Sequence, residues 1–186
     1  MDPKKLFDYC VEFATLQINQ TQPEYYSWPT PDTEWDVKAL AGHILYELSW
    51  VADIVQGKTI AEVGTAYDGD LVDGDLQGNW RLAARRATEA VSHCDLQATA
   101  HLSYADVTNE EYVREAAADM LIHGWDLATA LKIAVRFDPS VAQAVYDTAL
   151  PRQSGMAQSG MFAPAVTVAA GADIQTKLLA LYGRQA

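Results

Sequence analysis

The amino-acid sequence predicts an all-α fold, a four-helix bundle with crossover connections and short additional helices at its C-terminal end. Two observations support this prediction. Apolar residues recur every three or four positions in four long segments, which is the spacing of amphipathic helices. The connections between these segments differ greatly in length, whereas a simple up-and-down bundle has short ones throughout.

The first two helices are predicted from their periodicity and their start signals. The first covers residues 2–20, with an Asp-Pro start and apolar residues at Leu6, Phe7, Cys10, Phe13, Ala14 and Leu16. A proline-rich segment then predicts an extended connection. We expect Thr33 to cap the second helix, with Asp36 three residues later, and the helix to end at Gly57. The Gly- and Asp-rich residues 58–76 predict a long acidic loop.

Two further helices complete the predicted bundle. The third covers residues 77–93, with inward positions at Trp80, Leu82, Ala83, Ala87 and Val91. A weakly strand-like piece, ATAHLSYADV, separates it from the fourth, which starts at Thr108 and runs to about Ile133.

The remainder of the chain is predicted to hold shorter elements. Asp138 and Pro139 open a fifth helix that stops near Leu150, and a short helix ends near Tyr182. Between them the near-repeat QSGMAQSGMF predicts a Gly-rich loop that packs on the bundle and covers a site.

Composition excludes several classes of partner. The chain has 186 residues, which predicts a single domain over residues 1–186, and its net charge of -12 repels nucleic acid and anionic membrane surfaces. No apolar run reaches the roughly 18 to 20 residues of a membrane span. With only Cys10 and Cys94 and no secretory signal, we expect a cytoplasmic protein; a disulfide between the two cysteines stays open.

The segment DMLIHGWDLATAL carries the chemistry of the sequence. Asp119 and His123 lie four residues apart on an apolar helix face, so their side chains point into the same volume. A buried carboxylate costs several kcal/mol unless it is paired, hydrogen-bonded or bound to a metal. His43, on an inward face of the second helix, offers a third polar side chain.

Two interpretations of these residues stay open. In the first, His123 and Asp119 share a buried hydrogen bond, and His43 is an unrelated core histidine. In the second, His43, Asp119 and His123 hold a divalent ion and leave one coordination position open. Metal sites in helix bundles are commonly built in this way from side chains on facing helices. Glu47, one turn after His43, is a fourth ligand, a hydrogen-bond acceptor behind a ligand, or a residue of the solvated side.

The sequence resembles a known family. PTPDTEWDVKALAGHILYE, then LIHGWDLA, then GMFAPAVTV and LLALYGR are similar to the DinB-like superfamily, within the branch of mycothiol-dependent maleylpyruvate isomerases and related metal-binding proteins. The resemblance implies metal ligands at His43, Asp119 and His123. Two positions depart from it: Asp119 stands where glutamate is common, which shortens the ligand by one methylene, and Asp32 stands where a cysteine is common.

The resemblance implies a function as well. A divalent metal, zinc with nickel or iron as alternatives, would activate a low-molecular-weight thiol for S-transfer or isomerisation of a small electrophile. A metal-dependent hydrolase that activates water, or a non-catalytic dimeric binding or stress-response module, are the alternatives. The expected partner is a small-molecule substrate, and a homodimer is left open.

Overall fold

The computed structural model describes residues 1–153 and 163–185, and this part of the chain is mostly helical, which confirms the all-α class. In chain order the elements are α1 (Pro3–Ile18), α2 (Val37–Ile54), α3 (Ile60–Val63), α4 (Leu76–His93), β1 (Thr99–His101), β2 (Asp106–Thr108), α5 (Asn109–Ala130), α6 (Pro139–Ala149) and α7 (Ile174–Leu181). Single 3₁₀ turns lie at Pro23–Tyr25 and Leu150–Arg152. The acidic loop predicted over residues 58–76 therefore contains a helical turn, α3.

The start of α2 differs from the prediction. Asp36, not Thr33, caps the helix: its carboxylate accepts a hydrogen bond from the Ala39 N–H at 2.8 Å. Asp36 is extended and forms a bridge with Pro29, so the chain turns into the helix only at Val37. Thr33 consequently lies outside the first turn, where its hydroxyl cannot reach the free N–H groups that a cap must satisfy.

The start of α5 is fixed by a capping box and by a buried amide. Thr108 accepts a hydrogen bond from the Glu111 N–H, and the Glu111 carboxylate accepts one from the Thr108 N–H. The next residue, Asn109, is fully buried and donates to the carbonyl oxygens of Val55 and Asp95 at 3.0 and 2.9 Å. The start of α5 is thereby tied to the end of α2, which sets the position of one helix against the other. The strand-like piece before α5 forms the antiparallel hairpin of β1 and β2.

The chain divides into two compact units, one over residues 2–133 and one over the described residues from 134 onwards, to which Met1 also belongs. In the first unit α5 packs most extensively on α1, and α2 packs on both α4 and α5. One predicted inward residue of α4 is wrong: Leu82 is 67% exposed, whereas Trp80, Ala83, Ala87 and Val91 are buried as predicted. Consecutive helical residues point about 100° apart, so Leu82 turns away from the buried stripe on which its neighbour Ala83 lies; in the same way Leu16 of α1 is 56% exposed beside the buried Gln17.

In the second unit α6 packs on α7, and the buried Gln175 links them to the preceding chain. Its side chain accepts from the Phe137 N–H at 2.9 Å and donates to the Val135 carbonyl oxygen at 3.3 Å. The near-repeat after Gln153 lies outside the described residues. The prediction of a single domain over residues 1–186 stays a prediction. Within the described ranges, no helix is both long enough and apolar enough to cross a membrane.

Candidate metal centre

The candidate centre lies in the first unit, where two packed helices turn half-buried polar faces towards each other. On α2 the half-buried face comprises Gly42, His43, Tyr46 and Glu47, and on α5 it comprises Tyr112, Glu115, Ala116, Asp119 and His123. Residues three and four apart share a helix face, so each set forms one stripe. The sequence predicts that the helix face of Asp119 and His123 is buried; both side chains are instead partly accessible. A small solute could therefore reach them.

The three predicted ligands converge. His43, Asp119 and His123 each offer a ligand atom within 4.8 Å of the others. Nε2 of His123 lies 3.4 Å from Oδ1 of Asp119, and Nε2 of His43 lies 3.9 Å from Oδ2 of the same carboxylate. The side chains of His123, His43 and Asp119 are 12%, 26% and 29% exposed. The carboxylate thus stands between two imidazole nitrogens, with access from one side.

Asp126 orients His123, and the sequence prediction missed it. Its fully buried carboxylate lies 3.0 Å from Nδ1 of His123. An Nδ1–H that donates to this carboxylate leaves the lone pair of Nε2 facing Asp119 and His43, which is the tautomer that a metal ligand needs. The spacing of His123 and Asp126, three residues apart on one helix, could have indicated the pair. A buried carboxylate behind a histidine is the usual companion of a metal-ligating imidazole.

Trp35 forms an aromatic wall of the centre. Its ring centroid lies 4.4 Å from that of His43 and 5.6 Å from that of His123, and the two imidazole rings meet edge to face at 5.0 Å. Trp35 lies immediately before Asp36, the N-cap residue of α2, and is half-buried. The indole thus covers both histidines on that side of the centre.

The electrostatics of the centre favour a positive charge. Burial alone lowers the pKa of His123, but the carboxylates of Asp119 and Asp126 outweigh it and raise the pKa to about 9. For His43 burial prevails and lowers the pKa, although Asp119 acts in the opposite direction. Without a metal, the carboxylates therefore hold a proton on His123, at the place where a cation would be favoured.

Glu47 lies one turn beyond His43 but is not part of the converging group. No hydrogen bond or ion pair from any described residue reaches its half-buried carboxyl group. Burial, together with the charge of Asp119, raises the pKa of Glu47 to about 7. The structure fits neither a metal ligand nor a fully solvated residue at Glu47. The charge of Asp119 affects the pKa of this carboxyl group, which is only partly in contact with water.

The remaining histidines and the cysteines lie apart from the centre. His93 is exposed near the end of α4, with Nδ1 2.9 Å from the Glu89 carbonyl oxygen. His101 pairs with Asp106 across the hairpin at 2.8 Å. Cys10 and Cys94 are both free thiols. Among the described residues, a cluster of three or more metal-binding side chains forms only at His43, Asp119 and His123.

The donor set fits a divalent transition metal. Two imidazole nitrogens and one carboxylate oxygen are ligands that zinc accepts, and that nickel and iron accept as well. The contact of Asp126 with Nδ1 of His123 supports this fit, because metal-ligating histidines usually donate their other ring N–H to such an acceptor. Metal binding by these residues stays a prediction.

Comparison with known proteins gives relatives without a stated activity. No family model matches the chain, and no solved structure matches it. It is similar to two Mycobacterium tuberculosis proteins, "Uncharacterized protein MT0763" of strain CDC 1551 / Oshkosh and "Uncharacterized protein Rv0738" of strain ATCC 25618 / H37Rv. Each is 26% identical over 136 residues, which cover 70% of this chain and 67% of the relative. The names of these relatives state no reaction.

Proposed function

We propose that the chain is a DinB-like four-helix bundle, built from α1, α2, α4 and α5, that binds a divalent metal through His43, Asp119 and His123. The observation that supports this most strongly is the convergence of the three ligand atoms within 4.8 Å, with the far nitrogen of His123 on a buried carboxylate. Zinc is the metal we expect, with nickel or iron as alternatives.

We further propose that the centre serves a thiol-dependent transferase or isomerase acting on a small electrophile. A divalent ion with an open position lowers the pKa of a bound thiol, so that the thiolate forms at neutral pH without a separate base. His43 and His123 supply neutral donors, Asp119 supplies the negative charge, and Asp126 keeps Nε2 of His123 available. Trp35 excludes water on one side of the centre.

The proposal includes the surroundings in which this chemistry would run. The partner is a small molecule, because the half-buried faces of α2 and α5 leave access for one and the net charge of -12 disfavours nucleic acid and anionic membrane surfaces. We propose a cytoplasmic location, where the two thiols stay reduced. A homodimer remains compatible with the proposal.

Metal content tests the first part of the proposal. Untagged protein is equilibrated by dialysis with a buffer that contains trace metals, and its metal content is then measured by elemental analysis. It should hold one divalent ion per chain. His43→Ala and His123→Ala should each lose it, and His93→Ala, which removes an exposed histidine of α4, should keep it. Equal metal content in all four proteins would refute the site.

Thiol dependence tests the second part. The metal-loaded protein should turn over small electrophiles only when a thiol is added, and the His123→Ala variant should not. Cleavage of an ester or amide at a rate that added thiols leave unchanged would instead support the water-activating hydrolase.

A further inference from the structure

Beside the candidate ligands, several hydrogen-bonding groups have no partner within the described residues. The Glu47 carboxyl group and the hydroxyl groups of Tyr46 and Tyr112 make no hydrogen bond there, and the buried Nε1–H of Trp50 makes none either. A partly buried carboxylate without a donor or counter-charge costs free energy, so Glu47 indicates a place where a ligand or water belongs.

These groups share one location. Tyr46 and Tyr112 both pack against the apolar cluster that contains Trp50, and the rings of Tyr46 and Trp50 lie 5.9 Å apart. The charge of Glu47 raises the pKa of Tyr112, and the charge of Asp119 raises the pKa of both Glu47 and Tyr112. We call the half-buried residues Tyr46, Glu47, Tyr112 and Glu115 the α2–α5 face; it adjoins the metal ligands.

The charge of the α2–α5 face is negative. The ionisable groups that most affect the pKa values of His43, Glu47, Tyr112 and His123 are carboxylates, with Tyr104 and the histidines themselves. The nearby Arg114 pairs with Glu110 at 2.9 Å. The two negative charges of Asp119 and Asp126 would neutralise a divalent ion. The negative charge of an ionised Glu47 would then have no counter-charge.

We propose that the α2–α5 face binds the positively charged end of the substrate, with Glu47 as the counter-charge and the rings of Tyr46 and Tyr112 as the walls. A carboxylate with aromatic faces is the chemistry that recognises an organic cation, whereas an anionic substrate would meet repulsion. This inference rests on the proposed function, because it places the reactive thiol or electrophile at the metal and the cation beside it.

Three thiols of matched length test the inference on the cobalt(II)-loaded protein. Thiocholine carries a cation, 2-mercaptoethanol carries a neutral hydroxyl group, and 2-mercaptoethanesulfonate carries an anion. The sulfur-to-cobalt absorption band measures binding of each. Thiocholine should bind about tenfold more tightly than 2-mercaptoethanol, and the sulfonate should bind most weakly. In Glu47→Gln the preference for thiocholine should fall to about twofold or less, while 2-mercaptoethanol binds as before. Glu12→Gln, which removes an exposed charge of α1, is the matched control and should keep the preference.

Equal affinities in the unmodified protein, a preference for the sulfonate, or a preference for thiocholine that survives in Glu47→Gln would overturn the inference while thiol binding itself stands. A protein that binds no thiol, or no cobalt, would refute the proposed function instead. In that case choline and its neutral carbon isostere, 3,3-dimethyl-1-butanol, decide the inference by ligand-observed NMR on the metal-free protein. Saturation transfer to choline that is lost in Glu47→Gln supports a cation site, and equal signals from both compounds reject it.

Discussion

At the level of single residues, His123 lies between two carboxylates, one for each ring nitrogen. Asp126 lies 3.0 Å from Nδ1 and Asp119 lies 3.4 Å from Nε2. Since Asp126 fixes the tautomer and raises the basicity of the ring, we expect Asp126→Asn to weaken metal binding about 10- to 100-fold. Competition with a chromophoric chelator measures this loss. Asp8→Asn, on an exposed position of α1, should bind metal normally. Unchanged affinity in Asp126→Asn would show that Asp126 has no part in the centre.

Glu47 gives a prediction on stability. Its pKa is raised from 4.5 to about 7 in the folded chain, so the folded state holds the proton more tightly than the unfolded state. The stability that this group contributes is present below about pH 4.5 and is lost as the pH rises through about 7. In metal-free protein, Glu47→Gln should therefore be about 2 kcal/mol more stable than the unmodified chain near pH 8 and equally stable near pH 4.5. Urea unfolding at both pH values measures the difference; a constant difference would contradict the burial of an uncompensated carboxylate.

Much of the site could be predicted from the sequence, because its members are polar residues at helical spacing in apolar surroundings. Asp119 and His123 stand out in this way, and His43 does so on α2. Glu47 and Asp126 were harder to assign. The role of Glu47 depends on residues of another helix, and the role of Asp126 depends on a contact within its own helix. Residue spacing alone does not identify these neighbours.

At the level of elements, the approach of α1 to α5 depends on a glycine. A Cβ at Gly124 would lie 2.9 Å from Cδ1 of Phe13 and 3.4 Å from Cα of Ala14. Because Phe13 is buried, the helices would have to move apart. We expect Gly124→Ala to lower the free energy of unfolding by about 1–2 kcal/mol, even after the gain in helix propensity. The displacement should also weaken metal binding, since His123 is the preceding residue.

Gly42 on α2 provides the matched control for that substitution. A Cβ there would meet Cγ2 of Val72 at 3.4 Å, an ordinary contact, so Gly42→Ala should be neutral or stabilising by up to about 1 kcal/mol. Thermal unfolding of both variants distinguishes close packing from a general intolerance of alanine. Equal destabilisation by the two substitutions would contradict the packing argument.

The elements themselves were mostly predictable, because the three-and-four rhythm and the cap residues are local signals. The bounds of α4 and α5 and the caps Asp2, Thr108 and Asp138 follow the prediction closely. The start of α2 did not, since the extended backbone of Asp36 is set by its bridge to Pro29, which is not a local signal. The short α3 was hidden in a Gly- and Asp-rich segment, although its Thr59–Glu62 capping box is visible in the sequence.

At the level of the whole molecule, the centre couples protonation, metal binding and folding. In the metal-free chain the pKa of His123 is raised from 6.5 to about 9. The stability that this imidazolium contributes is complete below about pH 6.5 and is lost as the pH rises through about 9. The loss should be on the order of 2–3 kcal/mol, and it should be absent in His123→Gln.

A bound metal should remove this slope. The ion and the proton compete for Nε2 of His123, so the apparent metal affinity should rise with pH, by up to about tenfold per pH unit below the pKa of about 9. Since a ligand of the folded state stabilises it by RT ln(1 + [L]/Kd), this rise in affinity offsets the loss at His123, so protein in a zinc-buffered solution should keep a nearly constant stability between about pH 7 and pH 9 while metal-free protein loses it. Urea unfolding across this range, with a chelator and with buffered zinc, measures both slopes. Parallel slopes would mean that the ion binds elsewhere than at His123, and a flat metal-free slope would mean that Asp119 and Asp126 do not hold a proton there.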